Sequence, residues 1–217
     1  MSEYNALLFV VNKQSKKWNR YFERKYPSMV IDVIDFDKLH NLDDKKLNKY
    51  YLIILCVETY GDYIEYKCKN KKKKIFRKIH LLDIDKKLLR RMIPDNKILY
   101  MRNGLRDCVD GLINIMKCDS VVSLNCNDVL KLASESELLF QGTGGSKEEI
   151  LFNMLVEWKV SKDLRSCLIS ITGNITLTDV SEICSLVENY SGGSLLVGCR
   201  YEEDKNIGVF SLWKLVR

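Results

Sequence analysis

Short apolar runs alternate with segments of helical periodicity in the first part of the chain, and this alternation constrains the fold more than any other feature. Runs rich in strand-favouring Val, Ile and Leu lie at 5–11, 29–34 and 51–57. Between the first two, the aromatic residues of 14–25 recur at helical spacing. Strands that are apolar along their whole length are typical of parallel sheets covered on both faces. The pattern predicts an α/β fold with 29–34 and 51–57 as central strands.

The second half continues the alternation in a regular order. Apolar residues at three- and four-residue spacings predict a helix over 104–117 and a shorter one over 128–133. Ser146 and Glu149 form a capping box that opens a further helix after the glycine-rich turn 142–145. That helix should direct five apolar side chains inward: Ile150, Leu151, Met154, Leu155 and Trp158. The remaining predicted elements are strands at 138–141, 164–172, 194–200 and 207–216 and a helix at 178–189, a β-α-β-α-β-β unit.

Aromatic and basic residues alternate between 61 and 82, which predicts a hairpin with its turn near 71–74. A short helix over 83–92 and a strand over 97–101 should follow. The basic residues here form either a solvated hairpin tip or an electrostatic patch for nucleic acid, an anionic membrane surface or an acidic partner. Tyr66 and Phe76 would be placed to stack on bases in the second case. The patch comprises Lys67, Lys69, Lys71, Lys72, Lys73, Lys74, Arg77 and Lys78.

Composition excludes several classes of protein. With 217 residues, of which 46% are apolar, the chain can bury a core, so it is neither disordered nor a disulfide scaffold. Its longest apolar run, 50–57, is far shorter than the roughly 20 residues of a membrane span, and its start lacks the basic and apolar regions of a signal peptide. Eight scattered cysteines and two histidines show no metal-ligand spacing. We expect a cytoplasmic protein with buried thiols, no transmembrane segment and no metal.

Charge and glycine are unevenly distributed between the two halves. Residues 1–103 hold 24 basic and 13 acidic side chains, a net charge of +11, whereas 104–217 hold 11 and 16, a net charge of −5. Gly61 is the sole glycine of the first 103 residues, and the other ten follow. This distribution excludes a nucleotide site built on a glycine-rich loop near the amino terminus.

Four segments of the second half carry a family resemblance. Residues 109–113 read Val-Asp-Gly-Leu-Ile, 123–129 read Ser-Leu-Asn-Cys-Asn-Asp-Val, 140–144 read Phe-Gln-Gly-Thr-Gly and 168–173 read Leu-Ile-Ser-Ile-Thr-Gly. In order and spacing they resemble the end of the central helix, the hydrolysis loop and two strands of the tubulin/FtsZ superfamily, and within it of the FtsZ-type division proteins. The resemblance covers roughly residues 104–213, about half of the chain.

The resemblance implies a reduced tubulin/FtsZ-like α/β architecture. Residues 1–103 would be a truncated Rossmann-like remnant of the nucleotide domain, 104–118 the central connecting helix, and 119–217 the carboxy-terminal domain. It also implies a cytoskeletal or cell-division role in which subunits of the family assemble head to tail.

The first half departs from the family at both phosphate loops. Where the family has a glycine-rich turn after its first strand, this chain has Asn12-Lys13-Gln14-Ser15, and where the family has its Gly-Gly-Gly-Thr-Gly-Thr-Gly signature it has 57–62, Val-Glu-Thr-Tyr-Gly-Asp. Glycine lets successive backbone amides converge on phosphate without an intervening Cβ. Bulky and acidic side chains there should obstruct and repel phosphates. We therefore expect no bound cofactor and no GTPase activity.

The hydrolysis loop is also altered. By the resemblance, Ser123, Asn125 and Asp128 occupy the positions of the family's asparagine and its two acidic residues, which act on the nucleotide of a neighbouring subunit. The amide of Asn125 cannot act as a general base at neutral pH. An alternative interpretation is structural, because Asn or Asp ahead of 129–133 is a common helix cap.

Three functions remain open on this basis. The preferred one is a pseudo-GTPase without nucleotide that binds and regulates an FtsZ-like polymer, by capping or inhibiting it, or that assembles with itself. The second is a basic adaptor that binds DNA or an anionic membrane surface through the Lys67 to Lys78 region. The third, an active GTPase, requires the phosphate cradle that the sequence lacks.

Overall fold

The computed structural model divides the chain into two compact units, Met1–Ile98 and Leu99–Arg217. The division into 1–103, 104–118 and 119–217 stays a prediction. The residues that the structure describes are 6–57, 59–69, 78–83, 98–101, 104–116, 124–135, 137–158, 164–190, 193–203 and 205–215. The predicted helix over 83–92 lies almost entirely outside these ranges.

The first unit is a parallel sheet with strand order β2-β1-β3-β4 and helices on both faces. Its elements are β1 (Ala6–Val11), α1 (Ser15–Lys25), β2 (Val30–Asp35), α2 (Phe36–Leu39), α3 (Asp44–Leu47), β3 (Tyr50–Val57), α4 (Tyr60–Lys69) and β4 (Lys78–Asp83). The predicted α/β class and the helix after the first strand are confirmed.

Side chains of β1 alternate between two cores, one on each face of this sheet. On one face, the ring centroid of Phe9 lies 4.9 Å from that of Trp18 and 5.5 Å from that of Phe22, both on α1. On the other face, Leu8 and Val10 belong to the buried cluster beneath α2, α3 and α4. Both faces of β1 are therefore covered, as expected for a central parallel strand.

Two predictions for this unit are wrong. The strand at 29–34 lies at the edge of the sheet rather than in its centre, and its Val30 is 60% exposed. Residues 60–69 form helix α4 and not the first arm of a hairpin. The physical reason is that Tyr63 and Tyr66, three residues apart, bury one helical face, with Tyr66 packed 5.9 Å from the ring of Phe36.

The second unit is a mixed sheet with strand order β5-β6-β9-β7-β8, in which β9 runs antiparallel to both of its neighbours. Its elements are β5 (Ile98–Met101), α5 (Leu105–Met116), α6 (Cys126–Glu135), β6 (Leu138–Gly145), α7 (Lys147–Trp158), β7 (Leu164–Gly173), α8 (Leu177–Tyr190), β8 (Leu195–Tyr201) and β9 (Ile207–Leu215). The predicted helix over 104–117 and the β-α-β-α-β-β order are confirmed.

Helix α5 packs against two aromatic rings of this sheet at Gly111, where no side chain stands between them. A Cβ at this position would collide with the ring of Phe140 and would lie 2.8 Å from Cδ1 of Phe210. The two rings stack with their centroids 6.3 Å apart. The glycine in the 109–113 segment is thus explained by close helix-to-sheet packing.

Two details of this unit also differ from the predictions. Residues 142–145 continue β6 in register with β9 as far as Gly145, so they are strand and not turn. Only Gly145, with φ of 145°, adopts a conformation that glycine favours. On α7, Leu155 is 43% exposed instead of pointing inward, because the buried side of this helix is formed by Ile150 and Met154.

Candidate functional site

The carboxyl ends of β1, β2 and β3 lie at one edge of the first sheet, since the three strands are parallel and adjacent. This is the edge at which open α/β sheets bind ligands, and a helix that begins there presents free backbone amides. The residues at these strand ends are Asn12 after β1, Asp35 at the end of β2, and Thr59 with the first turn of α4 after β3. Their hydrogen bonds decide what the edge can bind.

Asp62 is the central residue of this edge and is only 8% exposed. Its Oδ2 accepts a hydrogen bond from the backbone amide of Thr59 (2.7 Å), while Oγ1 of Thr59 accepts one from the amide of Asp62 (3.1 Å). This is a capping box at the start of α4. The other carboxylate oxygen, Oδ1, accepts from Nδ2 of Asn12 at 2.6 Å. Asp62 therefore ties the start of α4 to the turn after β1.

Asp35 has the same role at the start of α1. Its Oδ1 accepts from the backbone amide of Ser15 (3.1 Å), and its Oδ2 accepts from the Ser15 hydroxyl (2.7 Å). Gln14, the residue at the cap position, makes no side-chain capping bond. The carboxylate at the end of β2 thus supplies the cap that the local sequence of α1 lacks.

The chemical consequence is that an internal carboxylate accepts from one backbone amide at each of the two helix starts. An anion arriving at this edge would meet two negative charges, and the Thr59 and Ser15 amides are already bonded. The turn after β1 contains one residue in the left-handed conformation that glycine favours, because Lys13 adopts a φ of 53°. The hydrogen bonds of Asp62 and Asp35 thus stabilise this edge from within the chain.

In the second unit, Asn125 and Asp128 form the cap of α6. The Asn125 Oδ1 accepts from the amide of Asn127 at 2.8 Å, and the Asp128 Oδ2 accepts from the amide of Asn125 at 2.9 Å. The helix-cap interpretation of these two residues is confirmed. Asn125 is exposed, so the cap does not bury it, and its contact with a polymer stays a prediction. Ser123 lies outside the described residues.

Two further helices of this unit begin with the same device. The predicted box of Ser146 and Glu149 is confirmed by bonds of 2.8 and 3.3 Å. The box of Thr176 and Asp179 was not predicted, although its Thr-x-x-Asp spacing is the same signal. The bond from the Thr176 amide is the main cause that lowers the pKa of Asp179. Lys147 Nζ lies 3.2 Å from an oxygen of Asp179, and this contact raises the pKa of Lys147.

The predicted basic patch is only partly described. Lys67 is exposed on α4 with its Nζ 5.2 Å from the ring centroid of Tyr63, Lys69 ends α4, and Lys78 begins β4. Lys71, Lys72, Lys73, Lys74 and Arg77 lie outside the described residues, as does Phe76. Tyr66 is 7% exposed in the core, so the prediction that it stacks on bases is wrong. A role for the patch in binding stays a prediction.

Buried thiols account for most of the described cysteines. Cys56, Cys108, Cys167 and Cys199 are buried, Cys184 is partly exposed, and Cys68 is exposed. Burial raises the pKa of the Cys167 thiol, which keeps it protonated and unreactive at neutral pH. Within the described ranges no group of three or more His, Cys, Asp or Glu side chains is arranged to hold a metal ion. No helix there is long and apolar enough to cross a membrane.

Comparison with solved structures identifies the fold. An empty FtsZ dimer from M. jannaschii aligns over 97% of this chain and 88% of its own, with a TM-score of 0.65 and 9% identity. CetZ from Methanosaeta thermophila aligns over 98% and 87%, with a TM-score of 0.62 and 11% identity. TubZ from Bacillus thuringiensis serovar israelensis, solved as GDP-form protofilaments, aligns over 99% and 85%, with a TM-score of 0.58 and 6% identity.

The sequence matches no protein-family model and no curated protein. The similarity is therefore one of fold, and at this level it is consistent over the whole chain. The chain has a tubulin/FtsZ-like fold, and the resemblance seen in its second half is confirmed to that extent.

Proposed function

We propose that this protein is a pseudo-GTPase of tubulin/FtsZ-like fold that works without bound nucleotide and regulates an FtsZ-like polymer by capping or inhibiting it, or assembles with itself. The proposal rests on the two carboxylates that bond to helix-start amides at the carboxyl ends of β1 to β3. Asp62 and Asp35 hold the amides of Thr59 and Ser15, at the edge where a phosphate would need them.

A filament of head-to-tail subunits needs two different faces on each subunit, because heterologous contacts propagate only when both are present. A subunit with a closed nucleotide edge offers nothing on that face to the next subunit. If it keeps the family's other contact face, around Asn125, it adds to one filament end and stops growth there. Since Asn125 supplies no carboxylate for hydrolysis on a neighbouring subunit, such a cap should dissociate slowly.

The experiment measures light scattering by FtsZ of the same host, assembled with GTP, at substoichiometric amounts of this protein. Capping predicts shorter polymers and reduced polymer mass well below equimolar addition. The contact variant Asn125→Arg should abolish the effect, because a large cation on the exposed cap blocks docking, while Lys45→Gln on α3 should leave it unchanged. An unaltered polymer, together with no sedimentable assembly of this protein alone, refutes the proposal.

A further inference from the structure

We propose that the outer face of α1 is a binding surface for double-stranded DNA that contacts the phosphate backbone without reading sequence. The surface consists of Lys16, Lys17, Arg20 and Arg24, called here the α1 stripe. It is distinct from the Lys67 to Lys78 region and goes beyond the regulation of a polymer.

The stripe follows from helix geometry. Residues 16, 20 and 24 are four apart, and at 100° per residue they fall with Lys17 within an arc of about 100° on one side of the helix. At about 1.5 Å per residue the stripe extends roughly 12 Å along the axis. All four side chains are exposed. A row of cations on a straight element is suited to a row of phosphates.

The opposite side of α1 fixes the stripe in place. Trp18 and Phe22 are 5% and 3% exposed and pack edge-on against Phe9 of β1. Tyr26, just after the helix, is 4% exposed, and its amide bonds to the carbonyl of Phe22. The cations are therefore carried on a rigid, docked helix, so little backbone ordering is required when a ligand binds.

The charge of this segment is not neutralised locally. Residues 13–25 contain six Lys and Arg side chains and one acidic residue, Glu23. Among the residues that the structure describes, none of the four members of the stripe forms an ion pair. An uncompensated row of cations concentrates positive potential and binds a polyanion by releasing its counterions.

Two observations favour DNA over an anionic membrane. A helix that lies in a membrane surface inserts its apolar face, and here that face is buried against Phe9. Half of the stripe is arginine, whose planar guanidinium forms paired hydrogen bonds with phosphate oxygens. The surface shows a narrow row of charge rather than a broad apolar and basic platform.

The test measures fluorescence anisotropy of a short labelled duplex at several concentrations of KCl between about 50 and 200 mM. The triple variant Lys16→Gln, Arg20→Gln, Arg24→Gln should weaken binding on the order of a hundredfold at the lowest salt and reduce the salt slope by about 2.7, that is, about 0.9 for each lost phosphate contact. The control Lys45→Gln, Lys46→Gln, Lys49→Gln removes the same charge from another exposed surface and should leave affinity and slope almost unchanged.

Circular dichroism establishes that both variants are folded before binding is compared. The proposal is overturned if the wild-type protein does not bind the duplex at low salt, or if the two triple variants lose affinity equally. It is also overturned if phosphatidylserine vesicles bind more tightly than the duplex and lose binding with the stripe, which would assign the surface to membranes. None of these readouts involves a polymer, so they are independent of the proposed regulation.

Discussion

Removal of the Asp62 carboxylate should destabilise the protein more than removal of the Asp128 carboxylate, which caps α6. In Asp62→Ala, the Thr59 amide loses its acceptor at 2.7 Å and the Asn12 side chain loses its acceptor at 2.6 Å. The lost cap is worth about 1 kcal/mol. The charge-assisted bond to Asn12, made by a carboxylate that is 8% exposed, adds about 1.5–3 kcal/mol. We therefore expect a loss of about 2.5–4 kcal/mol in the free energy of unfolding.

The matched control is Asp128→Ala. Asp128 occupies the same position in a capping box, but at an exposed site. It should cost only about 1 kcal/mol. Equilibrium unfolding in urea, followed by circular dichroism, gives both values on one scale. If Asp62→Ala costs no more than Asp128→Ala, the bond between the two loops contributes nothing and the account of a self-stabilised edge is wrong.

Three further predictions concern stability. Gly111→Ala should lower the free energy of unfolding by about 1–2 kcal/mol, because the collision with Phe140 outweighs the gain in helix propensity. Gly61→Ala in helix α4 should raise it by about 0.5–1 kcal/mol, because the new Cβ makes only an ordinary contact there. Urea titration of both variants refutes the packing argument if the two changes in free energy have the same sign. Lys13→Gly should raise the melting temperature by relieving about 1 kcal/mol of strain at φ 53°, so an unchanged or lower value would show that the turn is not strained. The pKa of Asp179 is lowered in the folded state, so its stabilising contribution is present above its unfolded pKa of about 3.9 and disappears as the pH falls through the folded value. The stability difference between wild type and Asp179→Asn should therefore shrink as the pH falls below about 4, and a constant difference would contradict this.

Much of the fold was predictable because its signals are local. The helix at Leu105–Met116 and the capping box of Ser146 and Glu149 depend on spacings within one or two turns, and both are as expected. The tubulin/FtsZ-like architecture was an implication of the resemblance carried by four segments of the second half.

The errors arose where distant partners decide the outcome. The apolar run 29–34 became an edge strand because, among the described strands, only β1 pairs with it, and strand order is not encoded in the strand itself. The exposure of Leu155 depends on which side of α7 meets the sheet. At 60–69, aromatic residues at mixed spacings fit two periodicities, and the burial of Tyr63 and Tyr66 selected the helix.

The candidate site likewise depends on contacts between residues that are distant in sequence. The Thr-x-x-Asp spacing at 59–62 is a readable capping signal, but the bond between Asn12 and Asp62 joins residues 50 positions apart. The pairing of Ser15 with Asp35 spans 20 positions. The sequence predicted that the phosphate loops were altered. The hydrogen bonds from the helix-start amides to Asp35 and Asp62 could be recognised only in the folded structure.

The most direct test of the proposal that this edge binds no nucleotide is isothermal titration calorimetry of the protein with GTP in the presence of millimolar magnesium, with GDP titrated in parallel. The carboxylates of Asp62 and Asp35 at the helix starts predict no saturable heat with either nucleotide. Saturable binding of one nucleotide per chain with a Kd of about 1 μM or tighter, equivalent to about −8 kcal/mol, would contradict the account and make the protein a nucleotide-dependent switch.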